Sequence, residues 1–552
     1  MTVDVAILGG GLAGLTLAIQ LKRRLPALEI VVLERRQHPV PHAIHKVGES
    51  SVEIAAEYFA NELGLKEHLT QFQLPKFGFR FFFSDGRMDF DAVTELGPSR
   101  HLAVPSYQID RGIFENFLGV HALRLGIGFV DAANVTSVAI NGRDQLHRLA
   151  YTRNDVAEQV DCRWLVDASG RAQLLKRKLG LQLDNAHDVN AVWFRVGSKI
   201  DVNEWSNDEA WLARCQPRSR WLSTNHLVGE GYWVWLIPLA SGSHSVGIVA
   251  DPKIHPLKSI NTFERALAWL QTHQPRLAAD LQGKRELLQD FAFFRKFSYG
   301  AKQVFGSERW AITGEAGVFL DPFYSPGSDF IAISNTYITE LISKETAGEH
   351  IAPYVKLYEQ MYLSFYDSML PLYLDQYRIF GDPRVLPVKV LWDYTYYWGI
   401  LCQLFYQRRL ADIGVLGGLR AELGNALALN KAIQTLLRSW SLVSSKPNHP
   451  VMLDQAQLAW FAALNRSLLD QLDGPALSQR IRANVAQMQA LAREILTAAR
   501  ADSANIDASE LLHTLGDQGS SPSGVPARLL FAAAITAARP VASSSPPCST
   551  VN

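Results

Sequence analysis

The chain has 552 residues, of which 48% are hydrophobic and 20% are charged. This balance is typical of a globular protein with a large apolar core, and at roughly 150 residues per domain the length predicts three or four domains. Lys plus Arg (54) equals Asp plus Glu (54), so the formal net charge is zero. Net charge therefore gives no support to non-specific nucleic-acid binding, and we expect no nucleic-acid partner.

The cysteines and the start of the chain predict a cytoplasmic protein. Cys162, Cys215, Cys402 and Cys548 are far apart and form no CxxC pair, which argues against a disulfide framework or a metal site and suits a reducing compartment. A strand pattern begins almost at the first residue, with no basic segment or leader before it. No window holds about 18 consecutive apolar residues, so we expect no membrane span.

The first 180 residues alternate strand and helix patterns. A short apolar run at Val3–Leu8 ends in glycines, Leu12–Arg24 has helical periodicity, and Ile30–Leu33 is a second run rich in β-branched residues. A strand, a helix and a second strand in this order predict a parallel sheet with a right-handed crossover.

Residues from about 185 to 300 change character and predict a mixed sheet. Three segments have strand patterns: Ala191–Gly197, Gly231–Leu239 and His244–Ala250. A buried-strand pattern returns at Trp310–Thr313, and after a glycine turn a helix is expected from about Phe330 to Lys344.

From about 350 to 500 strand patterns nearly vanish, and Leu, Ala, Gln and Arg dominate. Leu391–Arg409 is crowded with aromatic residues, which predicts either a helix buried on all sides or one wall of an aromatic substrate pocket. Residues 516–552 are rich in Ser, Pro and Ala, so we expect a disordered tail; its apolar run Leu529–Ala538 is too short to cross a membrane. The predicted divisions are 1–345, 346–515 and 516–552.

The glycine turn after the first strand has the dinucleotide-binding pattern GxGxxG, in Gly9-Gly10-Gly11-Leu12-Ala13-Gly14. Gly9 permits the tight turn, Gly11 lets the backbone approach a pyrophosphate, and Gly14 lets helix and strand pack closely. The amides at the helix start favour an anion. Glu34 ends the next strand, where its carboxylate is positioned to accept hydrogen bonds from ribose hydroxyls. We therefore expect a bound dinucleotide with an unphosphorylated ribose.

Three later segments indicate that this dinucleotide is FAD. Val166-Asp167-Ala168-Ser169-Gly170 resembles the second adenine-side segment of many flavoproteins, and Tyr107–Arg111 resembles their segment in which an arginine, here Arg111, reaches the cofactor. Trp310–Gly317, with Gly314 and Glu315, resembles the segment that contacts the ribityl chain and pyrophosphate, although those flavoproteins usually have Gly-Asp there. The prediction is an α/β fold: a Rossmann-type FAD-binding domain with an inserted mixed β-sheet substrate domain, followed by a helical C-terminal region.

Four further motifs resemble those of the flavin-dependent halogenases over roughly residues 3–340. Val47-Gly48-Glu49-Ser50-Ser51 resembles their turn beside the flavin, and Trp233-Val234-Trp235-Leu236-Ile237-Pro238 fits their WxWxIP signature. Lys76 falls where the phenol- and pyrrole-type members have their catalytic lysine. Asp321–Gly327 takes the place of their active-site loop.

The resemblance implies a reaction. Reduced FAD and oxygen convert halide into hypohalous acid, which moves to Lys76 and then halogenates an electron-rich aromatic of the phenol or pyrrole type. An ammonium can donate a proton to the departing oxygen, and partial burial lowers the pKa of a lysine enough to make it nucleophilic. The resemblance also implies secondary-metabolite biosynthesis, a separate flavin reductase as partner, and a small aromatic substrate that is free or attached to a carrier protein.

The loop departs from the family pattern at two positions. Tryptophan-type halogenases have a glutamate where this chain has Tyr324, which favours the phenol or pyrrole type. The family binds halide through the backbone N–H of the residue before the loop glycine, but here that residue is Pro326, which has none. The halide or substrate loop is expected to comprise Tyr324, Ser325, Gly327 and Ser328, with Gly327 or Ser328 supplying the donors.

Two other functions fit the same scaffold. An aromatic monooxygenase or a dehydrogenase would retain FAD and have no halide dependence, and a non-catalytic flavoprotein would serve as an accessory to a biosynthetic pathway. A structural role without any part in catalysis or cofactor binding also stays open for three residues. Lys76 could be a surface lysine, Arg111 a solvated residue at a helix start, and Glu49 an acid near a helix N-terminus.

Overall fold

The computed structural model describes residues 1–43, 47–516 and 529–531. One eight-stranded sheet carries the N-terminal unit. Thr2–Leu8 pairs in parallel with Ile30–Leu33 and with Val156–Asp167, as the strand–helix–strand pattern predicts. The other strands of this sheet are Gly128–Val130, Asn134–Ala139, His147–Arg153, Phe305–Gly306 and Trp310–Ile312.

The second eight-stranded sheet contains the three predicted strands, observed at Asn190–Val196, Tyr232–Pro238 and His244–Ala250. It extends beyond the predicted region, because strands from earlier in the chain and one from the helical region join it. The remaining strands are Phe79–Phe82, Glu95–Gly97, Thr224–Gly229, Leu288–Phe294 and Met452–Asp454. Two small sheets pair Leu74–Pro75 with Tyr107–Gln108 and Gln182–Asp184 with Tyr299–Ala301.

Helices cover the sheets and fill most of the C-terminal half. The dinucleotide helix, Leu12–Arg24, has its predicted bounds, and the loop helix, Gly327–Thr346, is longer than predicted. The other α-helices before residue 347 are Glu53–Glu57, Lys66–Phe72, Arg111–Arg124, Leu174–Lys178, Glu209–Ala213, Phe263–His273 and Pro275–Gln282. Those after it are Ala352–Met369, Val385–Tyr396, Gln403–Tyr406, Ile413–Gly418, Arg420–Ser441, Ala459–Arg466, Gly474–Asp502 and Ser509–Leu515.

Short π-helices and 3₁₀ helices complete the secondary structure of the described residues. Two π-helices, Tyr58–Glu62 and Tyr397–Cys402, continue the α-helices before them. The 3₁₀ helices are Phe90–Ala92, Gly170–Ala172, Val202–Trp205, Arg220–Leu222, Leu257–Ser259, Arg285–Leu287, Gly314–Ala316, Leu370–Leu372, Tyr377–Gly381, Gln455–Gln457 and Ser467–Leu469.

The helical region shares one apolar core with the dinucleotide unit. Buried side chains run without a break from Ile7 and Leu15 to Leu436 and Leu491. The predicted boundary near residue 345 therefore divides the chain by its secondary structure but does not divide its core. As a consequence, helical residues lie close enough to the sheets to contribute to a site there.

Within the predicted tail, the structure describes Leu529–Phe531. These three side chains are buried, and the Glu494 carboxylate accepts hydrogen bonds from the backbone N–H groups of Leu529 and Leu530 at 2.8 and 3.0 Å. Trp460 Nε1 donates to the carbonyl oxygen of Leu529 at 3.0 Å. Three apolar residues inside a polar segment are enough to hold a short stretch in the core. The rest of the predicted tail, with Cys548, lies outside the described residues.

Candidate active site

A cavity of about 470 Å³ lies at the carboxyl ends of the parallel strands, where open α/β sheets bind their ligands. Most of the site residues predicted from the sequence line it: Gly9, Gly11, Ala13, Glu34, Glu49, Ser50, Arg111, Gly314, Glu315, Ser325, Gly327 and Ser328. The residues predicted for the site that do not line it are Gly14, Lys76, Asp167 and Tyr324.

The glycine turn has the close backbone approaches that its motif predicts. Gly9 has φ +111°, and a Cβ there would lie 2.4 Å from the carbonyl oxygen of Ala168. A Cβ on Gly14 would lie 2.0 Å from the carbonyl oxygen of Gly9, so Gly14 acts through packing. Gly11 is the N-cap of the dinucleotide helix and offers no capping side chain. The first amides of the helix are therefore free for a pyrophosphate.

Both carboxylate oxygens of Glu34 already accept backbone hydrogen bonds. The N–H of Gly10 donates to Oε2 and that of Arg36 to Oε1, each at 2.7 Å. Glu34 thus shapes the glycine turn as well as lining the cavity. Each oxygen keeps a second lone pair, which suffices for a ribose hydroxyl.

Glu49 is buried and paired with Arg195, a residue that lies in no motif of the sequence. Arg195 Nη2 donates to Glu49 Oε1 at 2.6 Å, and its Nη1 lies 3.6 Å from Asp110 Oδ1. Burial raises the pKa of Glu49 although the Arg195 guanidinium opposes the shift. Glu49 lies four residues before the helix Glu53–Glu57, and its carboxylate is paired with Arg195.

Arg111 begins the helix Arg111–Arg124, but its side chain is only 12% exposed, so the interpretation as a solvated arginine is wrong. Its guanidinium donates to Glu115 Oε1 at 2.6 Å and to the carbonyl oxygen of Val47 at 3.0 Å. Burial lowers its pKa, opposed by the carboxylates of Glu315 and Glu49. Arg111 therefore fixes the turn that contains Gly48 while it lines the cavity.

Asp167 supports the cavity wall from behind. Its two oxygens accept the backbone N–H groups of Ser169 at 2.9 Å and Leu175 at 2.7 Å, which closes the turn after its strand. Asp167 does not line the cavity, so a direct contact between it and the cofactor stays a prediction. Arg171, three residues after Ala168, instead lines the cavity and lies 3.4 Å from Glu315 Oε2.

The tryptophan strand, Tyr232–Pro238, forms the far wall of the cavity with Trp233, Trp235 and Ile237. Trp233 Nε1 donates to the Tyr377 hydroxyl at 3.2 Å, and that hydroxyl donates to Asp321 Oδ2 at 2.5 Å. His187 Nε2 lies 2.7 Å from the same oxygen. A buried polar chain therefore joins the tryptophan strand to the start of the predicted active-site loop.

The predicted active-site loop makes a tight turn into the loop helix. Tyr324 and Ser325 have φ of +69° and +55°, a strained conformation for residues other than glycine. The N–H of Ser325 donates to the carbonyl oxygen of Pro322 at 2.8 Å. Pro326 is the N-cap of the loop helix, so the amides of Gly327 and Ser328 begin its first turn.

Tyr324 turns away from the large cavity. Its hydroxyl donates to Asp393 Oδ2 at 2.8 Å, and its ring packs against Phe79 and Tyr394. Tyr324 therefore connects the loop to the helical region, and its part in a halide or substrate loop stays a prediction.

A second cavity, of about 350 Å³, holds Lys76 in its wall together with Glu53, His101, Tyr394 and Trp398. The aromatic helix region predicted at 391–409 thus both packs in the core and lines a pocket. Lys76 is 4% exposed, so the surface-lysine interpretation is wrong.

The amine of Lys76 has hydrogen-bond acceptors but no close carboxylate. Its Nζ donates to Ser50 Oγ at 2.9 Å and to the carbonyl oxygen of Ser51 at 3.0 Å, and it lies 3.5 Å from the centroid of the Phe79 ring. Within the described residues it has no ion-pair partner at 4 Å or less. Burial lowers the pKa of Lys76 to about 7, while the charges of Glu53 and Asp329 oppose that shift.

Glu53 and Asp329 are two buried acids near Lys76 that sequence reasoning missed. Asp329, in the first turn of the loop helix, accepts the Ala55 backbone N–H at 2.9 Å and the Tyr397 hydroxyl at 2.6 Å. Burial raises the pKa of Asp329 to about 8. Burial also raises the pKa of Glu53. An acid at a helix start carries no sequence signal of burial, because such acids are usually solvated.

Comparisons with known proteins agree with this architecture. The FAD binding domain model matches residues 2–248. The flavin-dependent halogenase chlA of Dictyostelium discoideum is 26% identical over 436 residues, which cover 72% of this chain and 70% of that protein. A 1H-pyrrole-2-carbonyl-[peptidyl-carrier protein] brominase of Pseudoalteromonas luteoviolacea is 26% identical over 335 residues, covering 59% and 74%. The crystal structure of halogenase PltM is 18% identical with a TM-score of 0.63, covering 89% of this chain and 96% of that one.

The fold, the glycine cradle and these comparisons define the class. The chain is an FAD-dependent oxidoreductase, and FAD is its cofactor, as the later flavoprotein-like segments predict. Within that class it resembles the flavin-dependent halogenases in sequence and in fold. The FAD-binding α/β fold with its mixed sheet and helical C-terminal region is also confirmed.

The part of the chain that the structure describes has neither a membrane-spanning helix nor a metal-binding cluster. None of the helices there is both long and apolar enough to cross a membrane. The same residues hold no group of three or more His, Cys, Asp or Glu side chains arranged to bind a metal ion.

Proposed function

We propose that this oxidoreductase halogenates an electron-rich aromatic of the phenol or pyrrole type through Lys76, using reduced FAD, oxygen and halide. The supporting observation is the hydrogen bond between Lys76 and Ser50. Ser50 lines the large cavity and Lys76 lines the second one, and their side chains are 2.9 Å apart. A single polar contact therefore connects the cofactor cavity to a separate cavity of the right size for a small ring.

Reduced FAD bound in the large cavity would supply the chemistry by which oxygen oxidises halide. The glycine cradle and helix amides hold the pyrophosphate, and Glu34 holds the ribose. Tryptophan side chains and the loop helix exclude water from the far end of the cavity. The chain's own contribution to the transfer is then the amine of Lys76.

A lysine with a pKa of about 7 exists as both ammonium and amine at neutral pH. The ammonium donates a proton to the oxygen that leaves hypohalous acid, and the amine accepts the halogen. Ser50 and the Ser51 carbonyl hold the nitrogen in place, and the Phe79 ring stabilises its charged form.

Halide binding in this proposal depends on the start of the loop helix. Gly327 and Ser328 line the large cavity and have first-turn amides, whereas Pro326 has no N–H to offer. The amide of Ser325 is used within the loop turn. Two donors at a helix N-terminus are a sufficient site for a small anion.

The partners follow from the same proposal. The named pyrrole brominase and chlorinase relatives act on a pyrrole carried by a peptidyl-carrier protein, so a carrier-bound aromatic is included among the proposed substrates. A separate flavin reductase would supply reduced FAD, and the reaction would take place in the cytoplasm.

One feature favours a second function, an aromatic monooxygenase or dehydrogenase without halide chemistry. Pro326 has no backbone N–H. The halogenases that this chain resembles bind halide through the N–H of the residue at this position. The structure of a flavoprotein/dehydrogenase from Cytophaga hutchinsonii also has this fold, with a TM-score of 0.58 at 19% identity.

Halide dependence separates the two functions. The purified chain is supplied with reduced FAD, oxygen and either bromide or chloride, and monochlorodimedone reports hypohalous acid. Halogenase chemistry predicts reporter loss that requires protein and halide together. Flavin oxidation at the same rate with and without halide, and with no loss of reporter, would favour the monooxygenase or dehydrogenase.

A further inference from the structure

The second cavity combines an apolar wall with few polar side chains. Its volume of about 350 Å³ suits one aromatic ring with small substituents. Most of the wall is apolar or aromatic: Val52, Pro75, Phe77, Leu102, Tyr394 and Trp398. The acidic side chain in this wall is Glu53.

Glu53 is buried, and one of its two carboxyl oxygens has no hydrogen-bond donor among the described residues. The residue is 6% exposed, and its Oε2 atom accepts no hydrogen bond from any residue that the structure describes. The Trp398 side chain, in the same wall, is close enough to lower the pKa of Glu53, but its Nε1 makes no hydrogen bond among those residues. A buried acceptor without a donor is costly and calls for an explanation, and a ligand in the cavity that donates a hydrogen bond would supply one. The charges near Glu53 include the Lys76 amine, which forms no ion pair with it at 4 Å or less within the described residues, and the like-charged Asp329.

We propose that Glu53 determines specificity in the second cavity by accepting a hydrogen bond from an O–H or ring N–H group of the aromatic substrate. The proposal rests on the proposed function, because it takes this cavity as the place where the aromatic binds. The ligand class it selects is small aromatics with an acidic donor, namely phenols and pyrroles.

The physical reason lies in the strength of a hydrogen bond to a carboxylate. Such bonds are roughly twice as strong as those between neutral groups. Leaving a buried polar group without its partner also costs binding free energy, because the group has lost its contact with water. A methyl group on the donor atom removes the bond and adds bulk. Glu53 therefore discriminates between a phenol and its methyl ether more sharply than the apolar wall can.

Hydrogen bonding to Glu53 would also fix the ring's orientation. The proton remains on the substrate, and the partial negative charge that it leaves on the donor atom increases electron density in the ring. Lys76 lines the same cavity, so a ring held at Glu53 lies beside the amine that would deliver the halogen.

The test is equilibrium binding to the oxidised holoenzyme, measured by calorimetry. The probes are two matched pairs, phenol with anisole and pyrrole with N-methylpyrrole. Glu53→Gln keeps the shape of the side chain and removes its charge. Glu57→Gln, on the same helix but outside the cavity wall, is the control.

We expect Glu53→Gln to weaken binding of phenol and pyrrole by about tenfold, to leave the methylated compounds unchanged, and to retain full flavin content. Glu57→Gln should bind all four compounds like the parent. Equal effects of Glu53→Gln on each pair, no effect on either, or a parent protein that binds neither phenol nor pyrrole would overturn the proposal. Failure of the proposed function has a different signature, because halide independence leaves these binding constants unaltered.

Discussion

Lys76 Nζ donates a hydrogen bond of 2.9 Å to Ser50 Oγ, and this contact joins two cavities that otherwise have separate walls. Ser50 also lies 2.9 Å from Thr224 Oγ1, a second residue of the large cavity. The Lys76 amine is thus held by Ser50, which lines the large cavity, while Lys76 itself lines the second cavity. An activated small molecule that leaves the large cavity would meet the amine at this point.

The first prediction concerns the glycine turn. Gly11→Val puts a branched side chain at the N-cap of the dinucleotide helix, where the pyrophosphate should lie. We expect the folded variant to purify with little or no FAD, measured by flavin absorbance per mole of protein. Gly142→Val is the control, since a Cβ at that position meets no heavy atom within 4 Å. Full flavin content in folded Gly11→Val would mean that the cofactor binds elsewhere.

The second prediction concerns Pro326. Serine or alanine at this position tolerates the observed φ of −75° and restores a backbone N–H at the start of the loop helix. If the protein is a halogenase, both variants should use halide at lower concentration than the parent. The measurement is the halide concentration that gives half-maximal loss of monochlorodimedone.

Alanine serves as the matched variant because it restores the amide without adding a hydroxyl. Improvement in Pro326→Ser alone would assign the effect to the side chain. Unchanged halide dependence in both variants would indicate that halide binds away from this amide, or that it takes no part.

Local patterns selected residues of which most line one cavity. The strand, glycine turn, helix and Glu34 follow one another within 33 residues, from Thr2 to Glu34 in sequence, so short-range chemistry determines their geometry. Asp167 shows the limit of such patterns. Asp167 ends its strand, and its two oxygens accept backbone N–H groups of the turn that follows, which the sequence pattern did not indicate.

The surroundings of Lys76 were beyond sequence reasoning. Tyr397 accepts a hydrogen bond from the Ile54 backbone N–H across 343 residues of sequence, and its hydroxyl donates to Asp329. Burial of Glu53 and Asp329 depends on a helical region whose contact with the dinucleotide unit no local pattern announces. Acids buried by distant helices therefore become visible only in the folded structure.

The third prediction concerns Asp329 and stability. Burial raises the pKa of Asp329 from 3.8 to about 8, so the folded state keeps a proton that the unfolded state has lost between these pH values. Stability from this group is therefore present at low pH and falls as pH rises from about 4 towards 8. Asp329→Asn removes the titration.

The measurement compares thermal unfolding midpoints of the parent and Asp329→Asn at pH 5 and pH 8. We expect the midpoint of the variant to rise relative to that of the parent between the two pH values. Asp367→Asn, at an exposed position of the helix Ala352–Met369, is the control and should follow the parent. A difference between Asp329→Asn and the parent that does not change with pH would contradict the buried, protonated state of Asp329.

The last prediction concerns Lys76, on which the proposed halogenation depends. Lys76 does not line the large cavity, so neither FAD binding nor oxidation of reduced flavin should require it. Lys76→Ala should retain fold, flavin content and flavin oxidation, while halogenated product falls by a factor on the order of 10²–10⁴, as for a lost proton-transfer group. Lys76→Arg should not restore the product, because a guanidinium stays charged and cannot act as a neutral amine.

Lys66→Ala, which changes an exposed lysine ten positions earlier, provides the control and should match the parent. In the parent, product formation should be greatest near pH 7 and fall on both sides, because the ammonium and amine forms of Lys76 are both populated there. Product formation by Lys76→Ala at the parental rate would exclude this mechanism and make the monooxygenase or dehydrogenase function the stronger one.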